Sequence, residues 1–304
     1  PPPPSSLPSS SKKKRGSRIA AITTVSFLAF MAVFGLTFVL PTYVNEVCTT
    51  WTCAAAHYTF GFFLLFNVAV HYARTAVTDP PFVKPAKHGD DGAHWSGREW
   101  CSKCATSRPP RSHHCSVCAR CVIGYDHHCP FTHNCIGVSN YRSYLLFVIY
   151  IEVALLYALS ILSLLVWKRA DTMQQVVHDI GVKLVSPISM LYAVSALSQA
   201  GWSSMDALLL FSILVAVVWW IGVTLLLLFH VRLLSCRLST IDFIIAKKRG
   251  GVAWFGSVRT LLSELVRVLH LSPAPPLSSV RPFVSLFLPI SPTSPLSNSE
   301  GKRV

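Results

Sequence analysis

Residues that bind metals or act as nucleophiles are concentrated in one short stretch of the chain. Residues 124–135, GYDHHCPFTHNC, contain three histidines and two cysteines. The surrounding region contains seven cysteines at short spacings, which are Cys101, Cys104, Cys115, Cys118, Cys121, Cys129 and Cys135. The first four of these form two CxxC pairs, a spacing that lets two thiolates bind one tetrahedral zinc ion from a tight turn. The pattern therefore predicts zinc binding.

One of the seven cysteines is left over when the zinc ligands are counted. Two sites with three cysteines and one histidine each use six cysteines and two histidines. Cys129 directly follows Asp126, His127 and His128, and a neighbouring imidazole converts a thiol of pKa about 8.5 into a thiolate nucleophile. An acid such as Asp126 orients that imidazole. We therefore predict that Cys129 is a nucleophile; the residues alone leave open which histidine is the base and which is a ligand.

The composition indicates that this cysteine-rich region lies beside a membrane. Of the 304 residues, 52% are hydrophobic and 13% are charged, which excludes an ordinary water-soluble globular protein. Four apolar runs reach the roughly 20 helical residues that cross a bilayer, at residues 19–40, 54–77, 143–167 and 207–228. We predict an all-α polytopic membrane protein with four transmembrane helices and a cytosolic cysteine-rich two-zinc domain between helices 2 and 3. A weaker run, residues 188–197, is predicted to be a loop or interfacial segment.

The distribution of basic residues predicts the orientation of these helices. Five Lys and Arg precede the first run, eight lie in residues 78–142 and ten follow the last run, whereas residues 41–53 have none and residues 168–206 have three. Short basic loops stay on the cytosolic side, so both termini and the cysteine-rich region are predicted to be cytosolic. The net charge of +14 then indicates attraction to the lipid bilayer, and we expect no nucleic-acid partner.

The remaining segments complete the predicted organisation. The predicted parts are a disordered basic segment (1–18), transmembrane helices 1 and 2 (19–77), the zinc domain (78–142), helices 3 and 4 (143–228), a tail with an amphipathic helix (229–271) and a disordered Pro/Ser-rich tail (272–304). The tail helix has an apolar stripe from Trp254 to Val268, and it either lies on the membrane surface or packs against the zinc domain. Glu152, inside a predicted span, is interpreted as structural, with a functional role as the alternative. Cys48 and Cys53 are either disulfide-bonded or free.

The complete pattern resembles the DHHC-type protein S-acyltransferases, or palmitoyltransferases, over residues 19–242. It reads Cys101-x2-Cys104-x9-His114-Cys115-x2-Cys118-x2-Cys121-x4-Asp126-His127-His128-Cys129-x5-Cys135-x4-Asn140. The resemblance implies transfer of a long acyl chain from acyl-CoA, such as palmitoyl-CoA, to protein cysteines through a thioester on the enzyme. It also implies two structural zinc ions, and cytosolic or membrane-associated protein substrates with a juxtamembrane cysteine. The expected location is an endomembrane, meaning Golgi, ER or plasma membrane.

The resemblance also implies a role for each matched residue. One zinc is bound by Cys101, Cys104, His114 and Cys121, and the other by Cys115, Cys118, His128 and Cys135. Asp126, His127 and Cys129 are implied as acid, base and nucleophile, with Asn140 and Thr240 in support. His113 and His133 have no matched role, and we expect both to be solvated loop residues.

Three flanking motifs depart from the pattern that is usual in the family. Asp79-Pro80-Pro81 stands in place of Asp-Pro-Gly, Pro130-Phe131 in place of Pro-Trp, and Ser239-Thr240-Ile241-Asp242 in place of Thr-Thr-x-Glu. These departures keep open the alternative of a catalytically inactive family member that acts as a zinc-binding membrane scaffold.

Overall fold

The computed structural model describes residues 9–83, 99–168, 204–251 and 256–270. Helices dominate these ranges: α1 (Ser9–Phe34), α2 (Leu40–Val47), α3 (Trp51–Val77), α4 (Tyr141–Lys168), α5 (Ser204–Ser235), α6 (Thr240–Lys248) and α7 (Val258–His270). A π-helical turn, Gly35–Val39, joins α1 to α2. The predictions for residues 188–197, Trp254 and residues 272–304 lie outside the described residues.

The membrane spans agree with the prediction. Among the described residues, four helical segments are long and apolar enough to cross a membrane: Ser11–Val47, Trp51–Val77, Tyr141–Lys168 and Asp206–Ser235. Each contains one of the predicted runs, so the prediction of four transmembrane helices is confirmed. Large apolar side chains point outward from these helices, with Phe66 67% and Leu225 63% exposed, which suits contact with lipid. The chain is a multi-pass membrane protein.

The N-terminal segment differs from the prediction. Residues 9–18, predicted as disordered, form the first turns of α1. Lys and Arg lose little side-chain freedom in a helix, and extending an existing helix costs far less than nucleating one. The apolar helix that follows therefore extends backward through the basic residues.

Polar contacts join the spans to one another. Glu152 in α4 accepts hydrogen bonds from Trp220 Nε1 at 2.9 Å and Thr224 Oγ1 at 2.8 Å, both in α5. This arrangement fits the structural interpretation of Glu152. Between α2 and α3, Cys48 and Cys53 are joined by a disulfide.

The cysteine-rich region consists of three antiparallel hairpins. They are β1/β2 (Glu99–Cys101 with Thr106–Arg108), β3/β4 (His113–Cys115 with Arg120–Val122) and β5/β6 (Tyr125–Cys129 with Asn134–Gly137). The first two hairpins turn at Ala105 and Ala119, which follow the second cysteine of each CxxC pair and have φ values of 47° and 54°. These strands are three to five residues long, and a two-stranded hairpin alone is marginally stable in water.

Two asparagines attach the third hairpin to the end of α3. Asn134 Nδ2 donates to the carbonyls of Thr75, Ala76 and Thr78 at 3.0 to 3.2 Å. Asn140 Nδ2 also donates to Thr75 and Thr78, at 3.3 and 2.8 Å. The last carbonyls of a helix have no partner within the helix, and these amides provide one. The cysteine-rich domain is thereby fixed directly to a transmembrane helix.

The tail helix α7 packs against membrane spans. Leu261, Leu265 and Val268 contact a buried cluster that includes Leu145 of α4 and Leu234 of α5. Glu264 is buried as well, and one of its oxygens lies 2.8 Å from both Arg237 and Arg267. The helix is amphipathic, and its buried stripe faces the ends of α4 and α5 rather than the zinc domain. Val258, which the predicted stripe includes, is 71% exposed.

Candidate active site and metal centres

Two groups of cysteine and histidine side chains are arranged to hold metal ions. The first group contains Cys101, Cys104, His114 and Cys121, and the second contains Cys115, Cys118, His128 and Cys135. Within each group, all donor atoms lie within 4.8 Å of one another. The eight residues are those that the family resemblance implies as zinc ligands. Each group joins two neighbouring hairpins, so a metal ion in each would link all three.

The donor spacing in the second group fits a tetrahedral zinc ion. Zinc bonds of about 2.3 Å to sulfur and about 2.05 Å to nitrogen place neighbouring donors about 3.6 to 3.8 Å apart. His128 Nδ1 lies 3.7, 3.5 and 3.6 Å from the sulfurs of Cys115, Cys118 and Cys135. The sulfurs of Cys118 and Cys135 are 3.5 Å apart. The donor set therefore has the size, as well as the chemistry, for this ion.

The first group has similar spacing. The sulfurs of Cys104 and Cys121 are 3.6 Å apart, and His114 Nδ1 lies 3.8 Å from Cys101 and 3.1 Å from Cys104. Four donors in each group satisfy a tetrahedral ion and leave no position for a water molecule. Both groups thus fit structural zinc.

Strand β5 separates the two adjacent histidines. Successive side chains of a strand point to opposite faces, so His127 and Cys129 share one face and His128 points to the other. His128 accordingly meets the sulfurs of the second metal group, whereas His127 hydrogen-bonds Asp126 on the side that it shares with Cys129. The pairing register shifts between Tyr125 and His127. A bulge of this kind breaks the alternation, and Asp126 reaches the same side as His127.

Asp126 is held by three hydrogen bonds. His127 Nδ1 lies 2.6 Å from Oδ2, and Thr240, the first residue of α6, donates its backbone N–H to Oδ1 at 2.8 Å and its hydroxyl to Oδ2 at 2.7 Å. Thr240 is presented by a helix whose start is fixed by a capping box between Ser239 and Asp242. The shorter acid in the Ser239-Thr240-Ile241-Asp242 motif therefore serves as a helix cap.

These contacts set the charge states of the three side chains. Burial acts to raise the pKa of Asp126, but the hydrogen bonds and charge of His127 and the bonds from Thr240 hold that pKa below its ordinary value. Burial acts to lower the pKa of His127, yet Asp126 and Cys129 raise it to about 9. Burial also acts to raise the pKa of Cys129, and His127, together with the Thr132 backbone N–H, lowers it overall. The arrangement favours an imidazolium beside a thiolate.

Cys129 also lies against the apolar ends of the spans. Its side chain is buried in a cluster with Val68 of α3 and with Tyr144, Phe147 and Val148 of α4. Partly buried residues from the other two spans, Leu28 of α1 and Val223 and Leu227 of α5, pack against the same cluster. The sulfur therefore lies where the polar domain meets side chains from all four spans.

Comparison with known proteins identifies the family. The family model described as DHHC palmitoyltransferase matches residues 94–247, which is half of the chain. The chain belongs to the DHHC palmitoyltransferase family.

Individual relatives in this family align over parts of the chain. Palmitoyltransferase ZDHHC5 of Homo sapiens is 35% identical over 177 residues, which cover 58% of this chain and 21% of the relative. Palmitoyltransferase ZDHHC20 of Homo sapiens is 45% identical over 62 residues, covering 20% and 16% of the two chains. Probable protein S-acyltransferase 13 of Arabidopsis thaliana is 32% identical over 108 residues, covering 29% and 35%. The aligned parts thus span about a third or less of these relatives' lengths.

The DHHC site includes residues that sequence reasoning missed. Tyr144 presents its ring edge-on to His127, with ring centroids 5.2 Å apart. Behind it, buried His230 lies between the hydroxyls of Tyr144 at 3.1 Å and Tyr141 at 3.2 Å. These three side chains form the wall against which His127 packs. The only signal in the sequence was a histidine at the polar end of the last apolar run.

Proposed function

We propose that this chain is a protein S-acyltransferase that moves a long-chain acyl group, such as palmitoyl, from acyl-CoA to cysteine thiols of target proteins. One observation carries the proposal: Cys129 is outside both metal-donor groups, lies on the same face of β5 as His127, which lowers the pKa of the thiol, and is packed against apolar residues of the spans. The relatives named palmitoyltransferase support the same reaction. The catalytic residues are Asp126, His127 and Cys129.

In the first half of the reaction, the Cys129 thiol becomes acylated. His127 takes the thiol proton, and the sulfur attacks the carbonyl carbon of the acyl-CoA thioester. A carbon–sulfur bond to Cys129 forms, the bond to the CoA sulfur breaks, and the departing CoA sulfur takes the proton from His127. Asp126 holds Nδ1–H of His127, which leaves Nε2 as the nitrogen that faces the sulfur.

In the second half, a substrate thiol gives its proton to His127 and attacks the acyl carbon. The bond to Cys129 breaks, and the Cys129 sulfur recovers the proton from His127. Exchange of one thioester for another is nearly neutral in free energy. The site therefore has to supply a thiolate and a positioned acyl chain, and it needs no strong acid.

We assign structural zinc to the two metal groups. When bound, zinc with three thiolates and one neutral imidazole carries a net charge of about −1 and is a poor Lewis acid, so it supplies rigidity. The first ion would be held by Cys101, Cys104, His114 and Cys121, and the second by Cys115, Cys118, His128 and Cys135. Asn140 supports the frame by holding the third hairpin to α3.

The membrane supplies the binding energy for the acyl chain in this proposal. Each methylene buried among the spans contributes about 0.8 kcal/mol, and the side chains that pack around Cys129 are largely apolar residues of the spans. With both termini and the cysteine-rich domain cytosolic, Cys129 lies at the cytosolic surface of the bilayer. Substrate cysteines must then come close to that surface, as juxtamembrane cysteines do.

The test uses the full chain purified in detergent and incubated with palmitoyl-CoA that carries a labelled acyl group. Wild type should acquire label that hydroxylamine releases, and Cys129→Ser should acquire none while retaining the same zinc content, about two ions per chain. Cys236→Ser is the matched control, because Cys236 is a free cysteine outside both metal groups.

Two results would overturn the proposal. Label that persists in Cys129→Ser would place the acyl group elsewhere. A wild-type protein that binds zinc but takes no label would be the inactive scaffold.

A further inference from the structure

One zinc-ligand candidate, His128, has both ring nitrogens engaged. Nδ1 faces the sulfurs of Cys115, Cys118 and Cys135 at 3.5 to 3.7 Å. Nε2, on the opposite side of the ring, lies 2.9 Å from the hydroxyl of Ser17. Ser17 is 111 positions away in the sequence and belongs to the first helix.

Ser17 is placed differently from its neighbours in α1. It is 5% exposed, whereas the residues from Ser11 to Gly16 and Arg18 are exposed. Hydroxyls inside a helix commonly bond back to a carbonyl one turn earlier, and Thr23 and Thr24 of the same helix do so. The Ser17 hydroxyl instead joins His128 to His133, whose Nδ1 lies 2.8 Å away. His133 is therefore half-buried and bonded, which corrects its interpretation as a solvated loop residue.

Metal ligation through Nδ1 of His128 fixes the donor and the acceptor of both hydrogen bonds in the series His128–Ser17–His133. A ligating imidazole is neutral, so Nε2 of His128 carries the proton and donates it to Ser17 Oγ. The Ser17 hydroxyl then has its own proton available, and it donates to His133 Nδ1. Each donor thus meets one acceptor.

We propose that Ser17 is an outer-shell positioning residue of the second metal site and that it couples the first transmembrane helix to that site. Its hydroxyl fixes the tautomer and the ring orientation of His128 without touching the metal. The inference rests on the proposed metal site and is independent of the acyl-transfer reaction. The coupling works in both directions, because loss of the second metal would release the Ser17 end of α1 from the domain.

Zinc release to a chromogenic chelator tests the proposal on full-length protein in detergent. Outer-shell partners typically contribute about 10- to 100-fold to metal affinity, so Ser17→Ala should accelerate release of one zinc by about that factor and leave the other unchanged. Ser17→Thr, which keeps a hydroxyl, should restore slow release. Thr23→Ala is the matched control, because its hydroxyl bonds to Ile19 and Ala20 of its own helix.

A second variant tests the hydrogen bond between Ser17 and His133. His133 has a φ of 52°, a conformation that suits glycine, so His133→Gly removes the ring without straining the backbone. It should accelerate the same release phase by a smaller factor, since it removes only the acceptor of the Ser17 hydroxyl.

The results also separate this inference from the proposed function. Unchanged release in Ser17→Ala would overturn the inference, as would equal acceleration of both zinc ions, and unchanged release in His133→Gly would overturn the part assigned to His133. If the wild-type protein acquired no acyl label while zinc release from the variants changed as expected, the acyltransferase proposal would be overturned and the inference on Ser17 would stand.

Discussion

The side chains of His127 and Cys129 stabilise each other's charged forms. Replacing His127 with Gln removes the imidazolium and leaves the burial of the sulfur uncompensated. An ordinary cysteine thiol has a pKa of about 8.5. In the wild-type protein, the pKa of Cys129 is lowered, so its thiolate forms at a lower pH than that of an ordinary thiol. In His127→Gln, we expect the midpoint of Cys129 alkylation to shift upward past about 8.5. This midpoint is measured by labelling with iodoacetamide across a pH series and quantifying the labelled peptide by mass spectrometry.

The same digest contains a control for the reagent. Cys236, in the segment that follows α5, should be alkylated to the same extent in both proteins. An unchanged Cys129 midpoint in His127→Gln would contradict the pairing of the two side chains.

Thr240 holds the acid of the site through two separate bonds to Asp126. Thr240→Val removes the hydroxyl bond and keeps the backbone N–H bond. A hydrogen bond to a charged group contributes about 1.5 to 3 kcal/mol, so acyl-enzyme formation should slow by at least about tenfold. Single-turnover labelling measures the rate.

The neighbouring serine separates positioning of Asp126 from helix stability. Ser239→Ala removes the cap of α6, at a cost of about 1 kcal/mol, and leaves both bonds to Asp126 in place. It should label at close to the wild-type rate. If Ser239→Ala were as slow as Thr240→Val, the slow rate would reflect damage to α6.

Individual residues were predictable where a fixed spacing imposes their chemistry. The CxxC pairs predicted metal donors, the count of cysteines predicted one cysteine left over, and the preceding Asp126, His127 and His128 identified it as Cys129. The division of labour between His127 and His128 needed the strand, because alternation along β5 sends adjacent side chains to opposite faces. Ser17 carried no local signal, since it contacts His128, 111 positions away. The position of His230 at the end of the last apolar run was visible, but its partner Tyr144, 86 positions away, was not.

Asn140 joins two elements, the third hairpin and the end of α3. Its amide makes three donor bonds, to Thr75, Thr78 and Cys135, and accepts one from the Gly137 N–H. In Asn140→Ala, the Thr75 and Thr78 carbonyls keep their bonds from Asn134, whereas the Cys135 carbonyl and the Gly137 N–H lose the bond to Asn140. Each buried group left without a partner costs about 1 to 3 kcal/mol. We expect the free energy of unfolding to fall by at least about 2 kcal/mol, measured by thermal unfolding of the zinc-loaded protein.

Asn67 provides the matched amide deletion. It lies on α3, is half-buried, and makes one bond to Phe63 of its own helix. Asn67→Ala should change the free energy of unfolding by less than about 0.5 kcal/mol. Equal effects of the two substitutions would argue against a specific attachment at Asn140.

The helices and strands differed in how far the sequence alone predicted them. The four spans follow from composition and length, because a bilayer demands about 20 apolar helical residues. The strands of the hairpins are too short to show alternation, and their pairing depends on the turns at Ala105 and Ala119. The amphipathic pattern of α7 was readable, but the surface it buries was not, since periodicity defines a stripe without naming its partner.

The molecule as a whole combines two parts that hold together for different reasons. Transmembrane helices satisfy their backbone hydrogen bonds internally. The cysteine-rich domain has short hairpins whose small cluster of buried residues is built largely from the metal donors Cys115 and Cys135. We therefore expect the order of this domain to depend on bound metal and that of the spans not to depend on it.

Removal of zinc should consequently separate the two parts. With a strong chelator in detergent, we expect far-UV circular dichroism to retain the helical signal while limited proteolysis begins to cut within residues 99–137. Acyl labelling of Cys129 should disappear at the same time, because Asp126 and His127 sit on a hairpin that the second metal group anchors. Adding zinc back should restore protease resistance and labelling together. If the region stayed protease-resistant without metal, its order would have another source, and if helical signal fell in parallel, the metal sites would support the membrane bundle as well.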